Sequence, residues 1–182
     1  MLAAIEETGA LLDGHFQLAS GVHSDRYLEK FNLLQWPDRT AEVCAPLAAA
    51  AGPLAPSAVV GPTTGGVILA YELARQLGLR GLIAERNPDG PGRLIQRHFR
   101  LEAGERVLVV DDVLTSGGSV RDTIEAVRLA GGEPVAVAVL VDRSGGRSDF
   151  GLPFFAAMVL DLDTHAPEAC PLCRGGVPLT VT

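Results

Sequence analysis

The chain has 182 residues, a mass of 19.0 kDa and a formal net charge of −7, so one domain with a buried core is expected and nucleic acid is a poor partner on bulk electrostatics. The acidic start and the lack of any apolar stretch of membrane-spanning length argue against a signal peptide and a membrane segment. We therefore expect a cytoplasmic protein without nucleic-acid or membrane partners.

The first 35 residues predict a helix and a hairpin. Residues 2–12 have the pattern of a short amphipathic helix. Two alternating segments, His15–Leu18 and Tyr27–Leu28, flank the small polar turn Ser20-Gly21-Val22-His23-Ser24, a pattern typical of a β-hairpin. We expect this hairpin to form a hood over a main sheet.

Residues 38–51 predict a helix, and Pro46 within it should kink or restart the helix. A first strand–loop–helix unit follows. Residues 58–61 predict a buried strand, and a small polar turn, residues 62–66, leads into an amphipathic helix. Backbone N–H groups of such a turn can bind an anion. The alternative is a plain βα turn without a ligand.

The next predicted strand, residues 81–84, ends at Glu85-Arg86 and is followed by Asn87-Pro88-Asp89-Gly90-Pro91-Gly92, a strong loop pattern. Cationic side chains lie beyond it: Arg93, Arg97, His98 and Arg100. A flexible loop bordered by cations could close over an anionic leaving group and exclude water. For Arg97 and Arg100, an ordinary solvated hairpin is the alternative.

The segment that dominates the chain is residues 106–119. Val107–Val110 form an apolar run typical of a strand buried on both faces, and Asp111 and Asp112 follow at its carboxyl end. Thr115–Ser119 then open a helix, where free N–H groups and the helix dipole favour a phosphate. A capped turn without a ligand is the alternative, but a cap needs only one such polar residue.

Two other phosphate-binding patterns are absent from the sequence. The only lysine is Lys30, so no Gly-x-x-x-x-Gly-Lys-Ser/Thr loop exists, and no Gly-x-Gly-x-x-Gly follows a strand. Paired acids directly before a phosphate-binding turn suit a phosphorylated sugar instead, because the acids can hold vicinal hydroxyls while the turn holds the phosphate.

Residues 134–141 predict another buried strand, parallel to 107–110 across a helical crossover, and residues 153–160 predict one more. Arg143 then lies at the same sheet edge as the acid pair, where a guanidinium can bind a planar carboxylate with two hydrogen bonds. The predicted fold is α/β: a mostly parallel five-stranded sheet flanked by helices. We expect one domain over residues 1–182, with the hood and N-terminal helix in about 1–35, the core in 36–163 and a tail in 164–182.

Three cysteines do not make a disulfide framework. Cys170 and Cys173 form a single C-x-x-C in the tail, while a closed zinc site needs four ligands and only His165 is near in sequence. Two copies could combine their thiolates. The favoured interpretation is a pair of reduced thiols and no metal site.

Val107 to Ser119 resembles the phosphoribosyl pyrophosphate (PRPP) motif of type I phosphoribosyltransferases. Three further segments extend the resemblance over most of the chain in the family's order, and they point to the branch that uses orotate: Ser20–Ser24, Gly61–Gly66 and Val141–Arg143.

The resemblance implies transfer of ribose 5-phosphate from PRPP to orotate with Mg²⁺, as a homodimer, in pyrimidine biosynthesis. By this resemblance the acids contact the ribose hydroxyls and act in catalysis with Arg86, and Thr115 and Arg143 bind orotate. The remaining PRPP-binding residues implied are His23, Thr63, Thr64, Gly65, Arg86, Arg93, Val113, Leu114, Thr115, Ser116, Gly117, Gly118 and Ser119. His23 stands where the family has a lysine, and Gly65 stands where it often has one.

Two competing functions follow from the same residues. One is a type I phosphoribosyltransferase that acts on a purine or on uracil, for which Arg143 would have no carboxylate to bind. The other is a non-catalytic regulator that senses PRPP, and the acidic balance of the chain counts against it.

Overall fold

A computed structural model describes residues 2–182, with side chains from residue 3 onward, and contains two β-sheets with helices around the larger one. The helices are α1 (Leu2–Thr8), α2 (Lys30–Leu34), α3 (Pro37–Ala51), α4 (Gly65–Leu77), α5 (Gly118–Leu129) and α6 (Pro171–Arg174). The strands are β1 (Leu11–Gln17), β2 (His23–Leu28), β3 (Ala58–Pro62), β4 (Arg80–Arg86), β5 (Arg93–Ile95), β6 (Arg106–Leu114), β7 (Glu133–Asp142), β8 (Phe154–Val159), β9 (Thr164–His165) and β10 (Thr180–Val181).

The larger sheet has six strands in the order β5-β4-β3-β6-β7-β8. The five predicted strands are present and parallel to their neighbours. The additional strand, β5, pairs antiparallel with β4 and closes a hairpin around the predicted 87–92 loop. It was missed because three residues are too few to show an alternating pattern.

Both faces of this sheet are covered, as the apolar runs predict. Alternate residues of β6 pack into opposite cores: Leu108 and Val110 join the core formed with α3 and α4, whereas Val107 and Val109 join the core formed with α5. The chain connections therefore place α4 and α5 on opposite faces of the sheet.

One predicted helix needs correction and another is confirmed. The first helix ends at Thr8, not at residue 12, because Gly9 adopts φ 61° and Leu11 and Leu12 enter β1. Helix α3 continues through Pro46 without restarting, with Val43, Cys44 and Leu47 buried against the sheet. Tertiary packing compensates for the backbone hydrogen bond that the proline removes.

The smaller sheet, which we call the hood sheet, has the order β10-β1-β2-β9. Strands β1 and β2 form the predicted antiparallel hairpin, while β9 and β10 come from the C-terminal tail. The tail is thus part of the hood sheet and not a separate extension. Across residues 2–182, no helix is both long and apolar enough to cross a membrane.

Candidate active site

The site lies where the order of the larger sheet reverses. The chain passes from β3 outward to β4 and then returns to the other side of β3 as β6. The loops that follow β3 and β6 consequently diverge and leave a crevice at the carboxyl edge, where open α/β sheets bind ligands. Residues 63–65, residues 111–113 and Ser119, which the sequence singled out, meet at this crevice.

The loop after β3 is packed directly against the acid pair. A Cβ atom added at Gly65 would overlap the Oδ2 atom of Asp112, and one added at Gly66 would lie 3.3 Å from Oδ1 of Asp111. Only glycine allows this approach. The lysine that the family often has at the position of Gly65 would therefore displace the carboxylate of Asp112.

The two carboxylates have different surroundings. Asp111 is 5% exposed and accepts a hydrogen bond from the N–H of Asp112 at 2.8 Å. The pKa of Asp111 is raised from 3.8 to about 6, first by burial and then by the negative charge of Asp112, while the N–H of Asp112, the Ser119 hydroxyl and Arg93 partly oppose the rise. Asp112 is more open, with Oδ1 accepting from the N–H of Val113 at 2.6 Å.

Lys30 is a functional candidate that the sequence interpretation missed. Its Nζ lies 3.3 Å from Oδ2 of Asp112, and with Phe31 it lines a cavity of about 250 Å³ between the two loops. The remaining lining residues are Thr63, Thr64, Gly65, Asp111, Asp112, Val113 and Ser119. The available signal was the position of Lys30 directly after the predicted hood hairpin.

Arg93 connects the two loops. One terminal nitrogen, Nη1, donates to the Thr63 hydroxyl at 3.3 Å and to the Ala84 carbonyl at 3.1 Å, and Nη2 donates to the Ser119 hydroxyl at 3.2 Å. Burial lowers the pKa of Arg93, with Asp111 opposing that effect. Arg93 also lines a second cavity of about 400 Å³ with Arg86, Gly118 and Ser119.

Arg97 differs from Arg93. Its Nε and Nη2 donate to the Glu85 carboxylate at 3.0 and 2.8 Å on the surface of the hairpin. This matches the solvated-hairpin alternative.

The turn from β6 to α5 has the form expected of a phosphate site. Gly117 has φ 81°, a left-handed conformation that glycine adopts without strain, and α5 begins at Gly118 with no side chain capping its N-terminus. The first-turn N–H groups have no partner within the helix and can therefore bind an anion. Leu114, by contrast, is 1% exposed, so only its backbone is available for contacts at the turn.

A third cavity, of about 480 Å³, lies on the other side of this turn. It is lined by Thr115, Ser116 and Arg143 together with the hood residues Leu18 and Val22. The N–H of Arg143 donates to the Leu114 carbonyl at 2.8 Å, which fixes its position beside the turn.

Two features of this third cavity indicate an anionic ligand. Burial lowers the pKa of Arg143, and no carboxylate within residues 2–182 lies at ion-pair distance from its guanidinium. The Ser144 hydroxyl, which also lines the cavity, is the one buried side-chain oxygen or nitrogen without a hydrogen-bond partner among the side chains described. A half-buried cation without a carboxylate partner suits a ligand that carries a carboxylate.

His23 is not placed where the resemblance implied. Its side chain is 4% exposed, and its Nδ1 lies 3.0 Å from Nε2 of His15 and 3.3 Å from Sγ of Cys173. Strand β2 turns this imidazole into the hood and not toward the acid pair, contrary to the expected PRPP contact. Cys170 and Cys173 are free thiols, as expected, but four ligand-type side chains that the sequence did not connect converge there: His15, His23, Cys170 and Cys173.

Comparison with known proteins agrees with this geometry. A family model described as phosphoribosyl transferase domain matches residues 41–150. The chain is 49% identical to the orotate phosphoribosyltransferase of Caldicellulosiruptor bescii, covering 96% of this chain and 90% of that one. It is 47% identical to the enzyme of the same name from Pelotomaculum thermopropionicum, covering 98% and 93%.

Among solved structures, the crystal structure of orotate phosphoribosyltransferase from Aeropyrum pernix superposes with a TM-score of 0.75 at 32% identity, covering 88% of this chain and 94% of that one. The two sequence relatives match nearly the whole chain, which includes the hood as well as the sheet that carries the acid pair. The chain therefore belongs to the orotate phosphoribosyltransferase family of phosphoribosyl transferases.

Proposed function

We propose that the chain transfers ribose 5-phosphate from PRPP to N1 of orotate, giving orotidine 5′-monophosphate and pyrophosphate. The observation that carries this proposal is the arrangement of three cavities around one turn. The turn after β6 separates the Arg143 cavity from the cavity that contains Asp111, Asp112 and Lys30. A base with a carboxylate and a phosphorylated sugar can thus be held on either side of it.

Orotate is assigned to the third cavity. Its carboxylate would pair with the guanidinium of Arg143, which has no carboxylate partner within the described chain, and Thr115 offers a hydroxyl to the ring. The hood residues Leu18 and Val22 supply an apolar wall. Uracil and purines have no carboxylate, so binding them would leave the half-buried cation of Arg143 unpaired.

PRPP is assigned to the turn and to the two cavities on its other side. Residues 115–119 would hold the 5′-phosphate with backbone N–H groups, and Asp111 and Asp112 would hold the ribose hydroxyls. The pyrophosphate would lie near residues 63–65, Arg86 and Arg93. Lys30 would supply from the hood the ammonium group that many family members place at the position of Gly65.

The reaction needs positioning and charge stabilisation more than proton abstraction. The C1–oxygen bond of PRPP breaks with its electron pair leaving on pyrophosphate, the electron pair of orotate N1 forms the new bond to C1, and the N1 proton passes to the released pyrophosphate or to water. Carboxylates near the ribose stabilise the oxocarbenium-like charge at C1, while Lys30, Arg86 and Arg93 balance the charge on the leaving group.

Mg²⁺ fits this proposed site. Asp111 and Asp112 offer the oxygen ligands that Mg²⁺ prefers, and the raised pKa of Asp111 reflects burial together with a repulsion from Asp112 that a cation would relieve. When bound, the ion would neutralise charge on the pyrophosphate. The two carboxylates would hold it or its water ligands.

A pyrophosphate-release assay with orotate, uracil, hypoxanthine and adenine tests the proposal. We expect release with orotate alone. Arg143→Ala should raise the KM for orotate about 30-fold or more, as expected for the loss of a charge-assisted pair worth roughly 2–3 kcal/mol. Arg128→Ala, which removes an exposed arginine of α5, is the matched control. Equal release with uracil, or an unchanged KM in Arg143→Ala, would assign the cavity to another base.

We also propose a cytoplasmic homodimer, which the family resemblance supports. Light scattering coupled to size exclusion should give about twice the mass of one chain, and a monomer at micromolar concentration that retains full activity contradicts it.

A further inference from the structure

A cluster of four side chains outside the proposed active site joins the two ends of the chain. His15 lies on β1 and His23 begins β2. Cys170 directly precedes α6, and Cys173 lies within it. Their ligand atoms all lie within 4.8 Å of one another, and His15, His23 and Cys170 are buried. About 150 residues separate the histidines from the cysteines, so the fold and not the local sequence creates the cluster.

The spacing of these atoms matches a tetrahedral metal site. Zinc bond lengths of about 2.05 Å to nitrogen and 2.3 Å to sulfur require tetrahedron edges of about 3.3 Å between two nitrogens and about 3.6 Å between nitrogen and sulfur. Nε2 of His15 lies 3.0 Å from Nδ1 of His23, and three of the four nitrogen–sulfur distances are 3.3, 3.5 and 3.7 Å. The remaining pairs of ligand atoms lie within 4.8 Å, so side-chain movements of about 1 Å or less would complete the tetrahedron.

The ring of His15 is held in the orientation that a ligand needs. Its Nδ1 lies 2.8 Å from the Val177 carbonyl and donates to it in the tautomer that leaves the Nε2 lone pair aimed into the cluster. Metal-binding histidines almost always donate their other ring nitrogen in this way. The ring of His23 packs edge-on against it, with an interplanar angle of 67°.

We propose that His15, His23, Cys170 and Cys173 bind one structural Zn²⁺ per chain. Two imidazoles and two thiolates favour zinc over Mg²⁺ or Ca²⁺, which take oxygen ligands. Four protein ligands close the coordination sphere, so the site is structural and not catalytic. Binding converts two thiols to thiolates and releases two protons, which leaves the site with no net charge.

The position of the site explains what the metal would do. It connects β1 and β2 of the hood to the segment after β9, and the neighbouring residues Leu18 and Val22 line the Arg143 cavity. Zinc would therefore hold one wall of that cavity in place. This last consequence rests on the proposed function, whereas zinc binding itself does not.

The test is metal analysis of the full chain expressed without a histidine tag, after dialysis against excess zinc and removal of free metal. Mass spectrometry of metals should find one zinc per chain. Cys173→Ser and His15→Gln should each retain well below one zinc, and Cys44→Ala, which removes the cysteine outside the cluster, should retain one. Cobalt substitution should give thiolate charge-transfer bands that are lost in Cys173→Ser.

Two further readouts separate this inference from the proposed activity. A strong chelator should lower the Tm of the wild-type chain by several degrees and leave that of Cys173→Ser unchanged. After the chelator is removed and Mg²⁺ is restored, the zinc-depleted chain should show a larger rise in the KM for orotate than in that for PRPP. The inference is overturned by a wild-type chain that takes up no zinc, by full zinc retention in both ligand variants, or by a Cys170–Cys173 disulfide in the protein as purified.

Discussion

Replacing Asp111 with asparagine should make the protein more stable and inactive at the same time. The side chain is 5% exposed and lies beside Asp112, and its pKa of about 6 replaces an ordinary value of 3.8. A pKa difference of about 2 means that the ionised carboxylate destabilises the folded chain by roughly 3 kcal/mol at neutral pH. Asparagine has the same shape, and its amide oxygen can still accept from the N–H of Asp112.

The pH dependence follows from the sign of the shift. Because the pKa of Asp111 is higher in the folded chain than in the unfolded chain, protonation favours the folded state. The stability that Asp111 contributes is fully present below about pH 4 and is lost as the pH rises through about 6. The free energy of unfolding of Asp111→Asn should therefore equal that of the wild type near pH 4 and exceed it by about 1–3 kcal/mol at pH 8. The loss of the favourable interactions of the carboxylate with Arg93 and Ser119 reduces this gain.

Urea unfolding from pH 4 to pH 8 measures this difference, with Asp163→Asn as a control for the loss of an exposed negative charge. Calorimetry with Mg²⁺ and PRPP measures the accompanying loss of binding. In the wild type, kcat/KM for PRPP should fall about tenfold for each pH unit below about 6, because Asp111 must be ionised to hold the ribose. A stability difference that does not change with pH, or a less stable variant at pH 8, refutes the reasoning.

Two other variants test the pyrophosphate side of the site. Lys30→Met keeps the apolar stem and removes the cation beside Asp112. PRPP binding measured by calorimetry should weaken about tenfold or more, while the urea midpoint of unfolding changes little. Unchanged affinity for PRPP would exclude Lys30 from the site. Gly65→Ala places a methyl group against the Asp112 carboxylate. The affinity for PRPP should fall severely, and the free energy of unfolding should fall by about 1–3 kcal/mol. An active variant would show that the loops after β3 and β6 can separate freely.

The sequence by itself determined the parts of this protein that are local. The apolar run Val107–Val110, the two acids and the small polar turn predict a strand, a site and a helix within one short segment. The parallel crossover then places Arg143 at the same edge of the sheet, where the structure has it beside Leu114. The predicted strand, helix and position of Arg143 are confirmed, because strand periodicity and the direction of parallel strands decide both the local structure and the position of each loop.

Only the tertiary structure decided which distant side chains meet. The contact of Lys30 with Asp112 depends on how the hood packs on the sheet, and the meeting of His15 and His23 depends on a register in which Gln17 faces His23. Cys170 and Cys173 reach them only because β9 and β10 add to the edges of the hood sheet. Register and packing between segments far apart in the chain are set by the whole fold, and no local pattern encodes them.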